Sequence, residues 1–172
     1  DLSTDADTTM LEGACSSKSF SRLGTIVAGG FFNSDNVTDL FVHSKEGDEG
    51  GVVYLAGTNG TFTDSSGASN CYDLNYDIES TAGAAVAVPG DLNGDGLSDI
   101  CVAERESFDI FLGASNTSLR GTVDVNYSTQ LSGHSADEGR VGVVGDMDGD
   151  GFAEILMSRP ALKKVWIVYG SP

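Results

Sequence analysis

The sequence predicts an all-β protein made of three copies of one structural unit, and three observations carry the prediction. A loop recurs: Gly-Asp91-Leu-Asn93-Gly-Asp95-Gly96-Leu97-Ser-Asp99-Ile aligns with Gly-Asp146-Met-Asp148-Gly-Asp150-Gly151-Phe152-Ala-Glu154-Ile at an offset of 55 residues. A weaker copy, Gly-Phe31-Phe-Asn33-Ser-Asp35-Asn36-Val37-Thr-Asp39-Leu, lies 60 residues before the first. Self-similarity at such a period marks a repeat architecture. β-Branched and aromatic residues dominate the segments around each loop, and no stretch sustains a helical period. Finally, 23 Gly against 3 Pro suits a turn-rich β protein.

The elements follow in order within each unit. An apolar strand comes first, preceded by Gly: Thr25-Ile-Val-Ala after Gly24, Ala84-Ala-Val-Ala-Val after Gly83, and Val141-Gly-Val-Val after Gly139. The loop comes next, then a second strand, Leu40-Phe-Val, Ile100-Cys-Val or Ile155-Leu-Met. A third strand runs into Gly: Val52 to Gly57, Phe108 to Gly113 and Val165 to Gly170. In the second unit a further segment, Thr122-Val-Asp-Val-Asn-Tyr-Ser, has the pattern of an outer strand. The run Lys45-Glu-Gly-Asp-Glu-Gly-Gly reads as a solvated loop.

The loop spacing has a chemical reason. Oxygen side chains at positions 1, 3 and 5, a carbonyl at 7 and a carboxylate at 9 can wrap one hard cation, and Gly at 6 supplies a left-handed turn. The second loop offers Asp91, Asn93, Asp95, the Leu97 carbonyl and Asp99; the third offers Asp146, Asp148, Asp150, the Phe152 carbonyl and Glu154. Asp, Asn and Gly also build ordinary turns, but two copies at matched repeat positions select a metal loop. An EF-hand is excluded, because position 12 is Val102 or Met157 rather than Glu and the flanks are strands. An all-protein oxygen cage suits Ca2+ better than the smaller Mg2+. Two calcium ions are expected per chain. The first loop is expected to stay empty, since Phe31 replaces its leading carboxylate, while Asn36 tolerates the turn that Gly makes elsewhere.

Composition narrows the rest. Twenty-six acids against nine bases give a net charge of -17, which repels nucleic acid and anionic bilayers alike. The longest apolar runs, six to eight residues, fall far short of the roughly 20 a spanning helix needs, so no membrane insertion is expected. The chain opens at Asp1 without an initiator Met or signal-like stretch, which reads as a processed chain or an excised domain. Four acceptor triplets for N-linked glycans, at Asn36, Asn59, Asn116 and Asn126, point to an extracellular, secreted or cell-surface glycoprotein. Of the three cysteines, Cys101 lies in an apolar strand and reads as a buried free thiol, while Cys15 and Cys71 lie in polar segments and are the expected disulfide. No CxxC occurs, which argues against a thiolate zinc site.

These residues resemble the FG-GAP repeat of integrin α-subunit propellers. The matching features are the apolar strand, the D-x-[DN]-x-D-G-x-x-[DE] loop, the Ile-x-Val strand and the strand returning to Tyr-Gly or Leu-Gly, over roughly residues 22–172. The resemblance implies four-stranded propeller blades, one per repeat, each with a structural calcium loop between its first two strands. The Phe of the family's Phe-Gly pair is missing three times, at Leu23-Gly24, Ala82-Gly83 and Glu138-Gly139, so no ligand specificity carries over. The expected organisation is an arm over 1–21 and three integrin-like blades of four antiparallel strands over about 22–80, 81–136 and 137–172. Three blades cannot close a ring, so the expected fold is an incomplete propeller completed by another copy.

No catalytic signature is present: no Gly-x-Ser-x-Gly, no phosphate-binding loop, and only His43 and His134, both in polar contexts that place them at the surface. The expectation is a non-catalytic, calcium-stabilised structural subunit of a surface filament or coat, a head-to-tail homo-oligomer with a filament favoured over a closed dimer. Trp166 and Tyr169 lie on a strand and read as packing residues. An adhesion or carbohydrate-binding propeller module, in which an exposed Trp could serve a sugar site, is the alternative, as is an accessory propeller of a larger secreted protein. The donor arm would be Asp7–Cys15, which falls in the outer-strand slot when the repeat is counted backwards.

Overall fold

A computed structural model describes residues 21–46, 51–57, 62, 71–74, 85–103, 107–113, 125–128 and 139–172. Three antiparallel sheets account for most of them. The first contains β1 (Ser21–Gly30), β2 (Asp39–Glu46), β3 (Gly51–Tyr54) and β4 (Cys71–Leu74), neighbours in chain order. The second contains β5 (Ala85–Gly90), β6 (Asp99–Ala103), β7 (Ser107–Phe111) and β8 (Val125–Ser128), again in chain order. The third contains β9 (Arg140–Gly145), β10 (Glu154–Arg159) and β11 (Lys164–Val168), with β10 in the middle. A single 3-10 turn, Pro160–Leu162, joins β10 to β11; Lys163 leaves it with φ 55 and donates its N–H to the Pro160 carbonyl at 2.9 Å. Among the described residues no helix is long and apolar enough to cross a membrane.

Alternation along the strands gives each sheet two apolar faces, and the sheets stack through them. One face of the first sheet (Phe32, Phe41, Val53, Leu74) packs on one face of the second (Ile100, Val102, Phe111). The opposite face of the second (Leu92, Cys101, Phe108, Ile110) packs on the third (Ala153, Ile155, Met157). Arg159 is buried in that second joint, its guanidinium carbon 4.8 Å from the Phe108 ring centroid. Gly139, just ahead of β9, keeps the joint open to Arg159: a Cβ there would lie 3.0 Å from Nη1 and 3.2 Å from the Ala103 Cβ. Backbone bonds repeat across the joints. Ser98 N–H donates to the Phe31 carbonyl at 2.7 Å, and Ala153 N–H to the Asp91 carbonyl at 2.8 Å. Position 8 of one loop thus bonds position 1 of the loop before it, and β1, β5 and β9 run side by side.

Several expectations change. His43 is not at the surface: it is buried on β2, because β2 runs through Glu46 and takes Lys45 and Glu46 into the strand. Cys71, read as part of a polar segment, opens β4 and is buried. Trp166 packs as expected, half-buried against the second joint and 6.5 Å from the Phe108 ring, whereas Tyr169, expected to pack with it, is exposed. Cys101 is a buried free thiol, its pKa pushed up to about 12 by burial and by the nearby Asp109 charge. The arm with Cys15, and Asn59, Asn116 and His134, lie outside the described residues.

Candidate metal loops

Each loop lies between the first two strands of its sheet, where a tight reversal must satisfy several backbone donors at once. In the second loop Asp91 does most of this. Its Oδ1 accepts the N–H of Gly94 at 2.6 Å and of Asp95 at 3.2 Å, and its Oδ2 accepts that of Gly96 at 2.7 Å. Asp146 repeats the pattern with Gly149 at 2.6 Å, Asp150 at 3.1 Å and Gly151 at 3.0 Å. Asp95 and Asp150 each accept the N–H two residues on, from Leu97 at 2.8 Å and Phe152 at 2.9 Å. The backbone is left-handed at both loop glycines, Gly94 (φ 79) and Gly96 (φ 85), then Gly149 (φ 81) and Gly151 (φ 96). Position 4 therefore needs Gly as much as position 6, a requirement the spacing argument did not include.

The first loop keeps half of this. Asn36 is left-handed at φ 60, as its residue type allows, and Asp35 and Val37 donate to Asn33 and Asp35 at 2.9 and 2.8 Å. Phe31 has no carboxylate to gather the other donors. The cation-binding half is missing while the turn survives.

Position 9 has a role that sequence spacing alone did not reveal. Asp99 is fully buried, and its two oxygens accept the N–H of Leu92 at 2.7 Å and of Gly113 at 2.8 Å. Asp39 holds Phe32 at 3.0 Å and Ala56 at 2.9 Å in the same way. This corrects the repeat alignment, since Ala56, not Gly57, occupies the slot of Gly113. The carboxylate ties the loop to the end of the third strand. Burial raises the Asp99 pKa to about 6; the two backbone donors lower it, and the Asp95 and Asp91 charges add to the rise. Burial raises Asp39 as well, with Asp35 adding to it. Negative charge is thus held in these loops at a cost that a cation would offset.

Glu154 departs from the pattern, and the departure makes the third loop the better cage. Its Oε2 accepts the Met147 N–H, but its Oε1 is buried with no hydrogen-bond partner among the described residues. Oxygens of Asp146, Asp148, Asp150 and Glu154 lie within 4.8 Å of one another. Two oxygens across a calcium ion at about 2.4 Å each are separated by about that distance. Among the described residues this is the one acidic cluster of its kind. In the second loop Asn93 replaces a carboxylate, its Nδ2 donating to Asp95 at 3.2 Å, and both Asp99 oxygens face backbone donors. The longer Glu side chain reaches what the shorter Asp cannot.

A family model of the FG-GAP-like repeat matches residues 32–102 and again 91–157, each match spanning two successive loops. Comparison with curated proteins finds no match.

Proposed function

The chain belongs to the FG-GAP-like repeat family, and from that premise we propose that it is a non-catalytic, calcium-stabilised extracellular glycoprotein, the self-assembling subunit of a surface filament or coat. The observation that supports the calcium reading is the third loop, where a buried, unpartnered Glu154 oxygen joins three aspartates. Asp146, Asp148, Asp150, Glu154 and the Phe152 carbonyl would hold one ion, and Asp91, Asn93, Asp95, Asp99 and the Leu97 carbonyl a second. Each ion would neutralise its loop and fix the strands on either side. Glu154→Gln should keep an acceptor for Met147 while weakening calcium binding at the third loop roughly tenfold or more. Titration calorimetry with calcium checks this; unchanged affinity at both sites would count against the assignment.

Assembly rests on an edge. Among the described residues β11 has one neighbour, β10, whereas β3 and β7 each have two. An unpaired edge is a template for a strand from another chain. Beside that edge lies a cavity of about 260 Å³, lined by Ile110, Leu112, Val125, Val168 and Tyr169 among others. The segment Asp7–Cys15 of a neighbouring copy would supply the missing strand, with Met10 or Leu11 to fill the cavity and a Cys15–Cys71 disulfide to anchor its base. Glycans at Asn36, Asn59, Asn116 and Asn126 would coat surfaces left free. Deleting residues 1–16 should convert the native assembly into monomers by sedimentation. Assembly unaltered by the deletion would rule out strand donation.

A further inference from the structure

We infer that the second and third loops are coupled cation sites, so that filling either one raises the affinity of the other. The inference deepens the calcium reading and rests on it. A single line of groups runs from loop to loop across the second joint. Phe152 supplies the carbonyl at position 7 of the third loop, and the same peptide unit carries the Ala153 N–H. That N–H donates to the Asp91 carbonyl at 2.8 Å. The Asp91 carbonyl shares its own peptide unit with the Leu92 N–H, which donates to Asp99 Oδ2 at 2.7 Å. Asp91 opens the second loop and Asp99 closes it. A ligand of one loop is thus joined to a ligand of the other through rigid peptide planes and hydrogen bonds alone.

The joint is too tight for one loop to move alone. Leu92 and Ala153 are both buried. The Phe152 ring lies against Gly94 of the second loop and leaves no room there for a Cβ. Gly170, beyond the end of β11, fits between the two loops: a Cβ on it would lie 2.6 Å from the Ala153 carbonyl oxygen and 2.7 Å from that of Leu92. The next residue, Ser171, donates its N–H to the Leu92 carbonyl at 2.9 Å. Close-packed groups of this kind pass a displacement on to their neighbours.

The sign of the coupling follows. Once the Phe152 carbonyl is engaged as a ligand, its peptide plane is fixed and the Ala153 N–H becomes a stronger donor. The Asp91 unit and Asp99 are then held in place before the second loop fills, so the cost of ordering the shared groups falls once rather than twice. Linkage makes the effect the same in both directions. The first joint repeats the relay, from the Ser98 N–H to the Phe31 carbonyl at 2.7 Å and from the Phe32 N–H to Asp39 Oδ2 at 3.0 Å. It ends at a loop that lacks the leading carboxylate, so there it leads to no second ion.

Calcium titration of the full chain, followed by NMR, tests the coupling. The Gly96 N–H bonds Asp91 at 2.7 Å and the Gly151 N–H bonds Asp146 at 3.0 Å, so each amide reports its own loop. Glu154→Gln weakens the third loop and leaves every second-loop ligand in place. The Gly96 midpoint should nonetheless move to about fivefold higher calcium. Asp95→Asn, which keeps an acceptor for the Leu97 N–H, should move the Gly151 midpoint by the same factor. Either variant alone decides the point. Hydrogen exchange separates the relay from a general loosening of the sheet. In Glu154→Gln, calcium that fills the second loop alone should slow exchange of the Ala153 N–H about fivefold. The Lys163 N–H, bonded to the Pro160 carbonyl at the far end of the third sheet, should not change. Midpoints that move only in the altered loop would overturn the coupling and leave the calcium reading standing. No calcium response at either glycine would overturn both. Coupled midpoints with Ala153 exchange unchanged, or slowed no more than that of Lys163, would overturn the relay.

Discussion

Chelating calcium from the native protein should lower its melting temperature by roughly 10–20 °C. An ion bound to the folded chain at 100 times its dissociation constant contributes about 2.7 kcal/mol, and two such sites about 5 kcal/mol. For a chain of this size each kcal/mol moves the melting temperature by about 2–4 °C. Limited proteolysis localises the effect. With calcium removed, cleavage should rise within 91–99 and 146–154, where carboxylates would repel one another, and stay unchanged within 31–39, where Phe31 has already removed the leading carboxylate. Calorimetry in calcium and in excess chelator makes the comparison; identical melting in both would contradict the calcium reading.

Phe111→Ala should cost about 3–5 kcal/mol, the usual range for emptying a buried aromatic site. Phe111 is fully buried at the first joint, packed with Phe32, Phe41, Val53 and Leu74 of one sheet and Ile100 and Val102 of its own. The cavity opens between two sheets rather than within one, so the neighbouring side chains cannot close it without moving a whole sheet. Phe31→Ala is the control. That ring is 46% exposed and its backbone makes the contacts with Ser98, so the change should stay within about 0.5 kcal/mol. Denaturant midpoints for the two variants check the contrast.

Much of the fold was legible because the repeat amplifies weak signals. A single Asp-x-Asn-x-Asp-Gly run is an ordinary turn, but the same run at Asp91 and Asp146, flanked each time by strands, fixes the order of elements. Asn36 at φ 60 shows the same logic in the degenerate copy. What stayed hidden depends on partners distant in sequence. His43 looked exposed because its neighbours Ser44, Lys45 and Glu46 are polar, yet one face of β2 is covered by a second sheet. By their spacing the position-9 carboxylates are ligands alone. Their bonds to Leu92 and Gly113, or to Phe32 and Ala56, show that they also tie the third strand to the loop. No local pattern announces that bond, and without it the terminal Gly places the first repeat one residue out, at Gly57 instead of Ala56. The distinction between Glu154 and Asp99 was present in the sequence as one methylene, but its consequence, a free buried oxygen, depends on the path of the backbone.

Whether these loops hold ions decides the calcium reading. Native mass spectrometry of the chain purified in calcium and exchanged into a volatile buffer counts them directly. Two calcium ions per chain are predicted, with the second-loop ion the first to leave on dilution because Asn93 and the fully engaged Asp99 bind it less strongly. A chain carrying none under conditions that keep it folded would contradict the account.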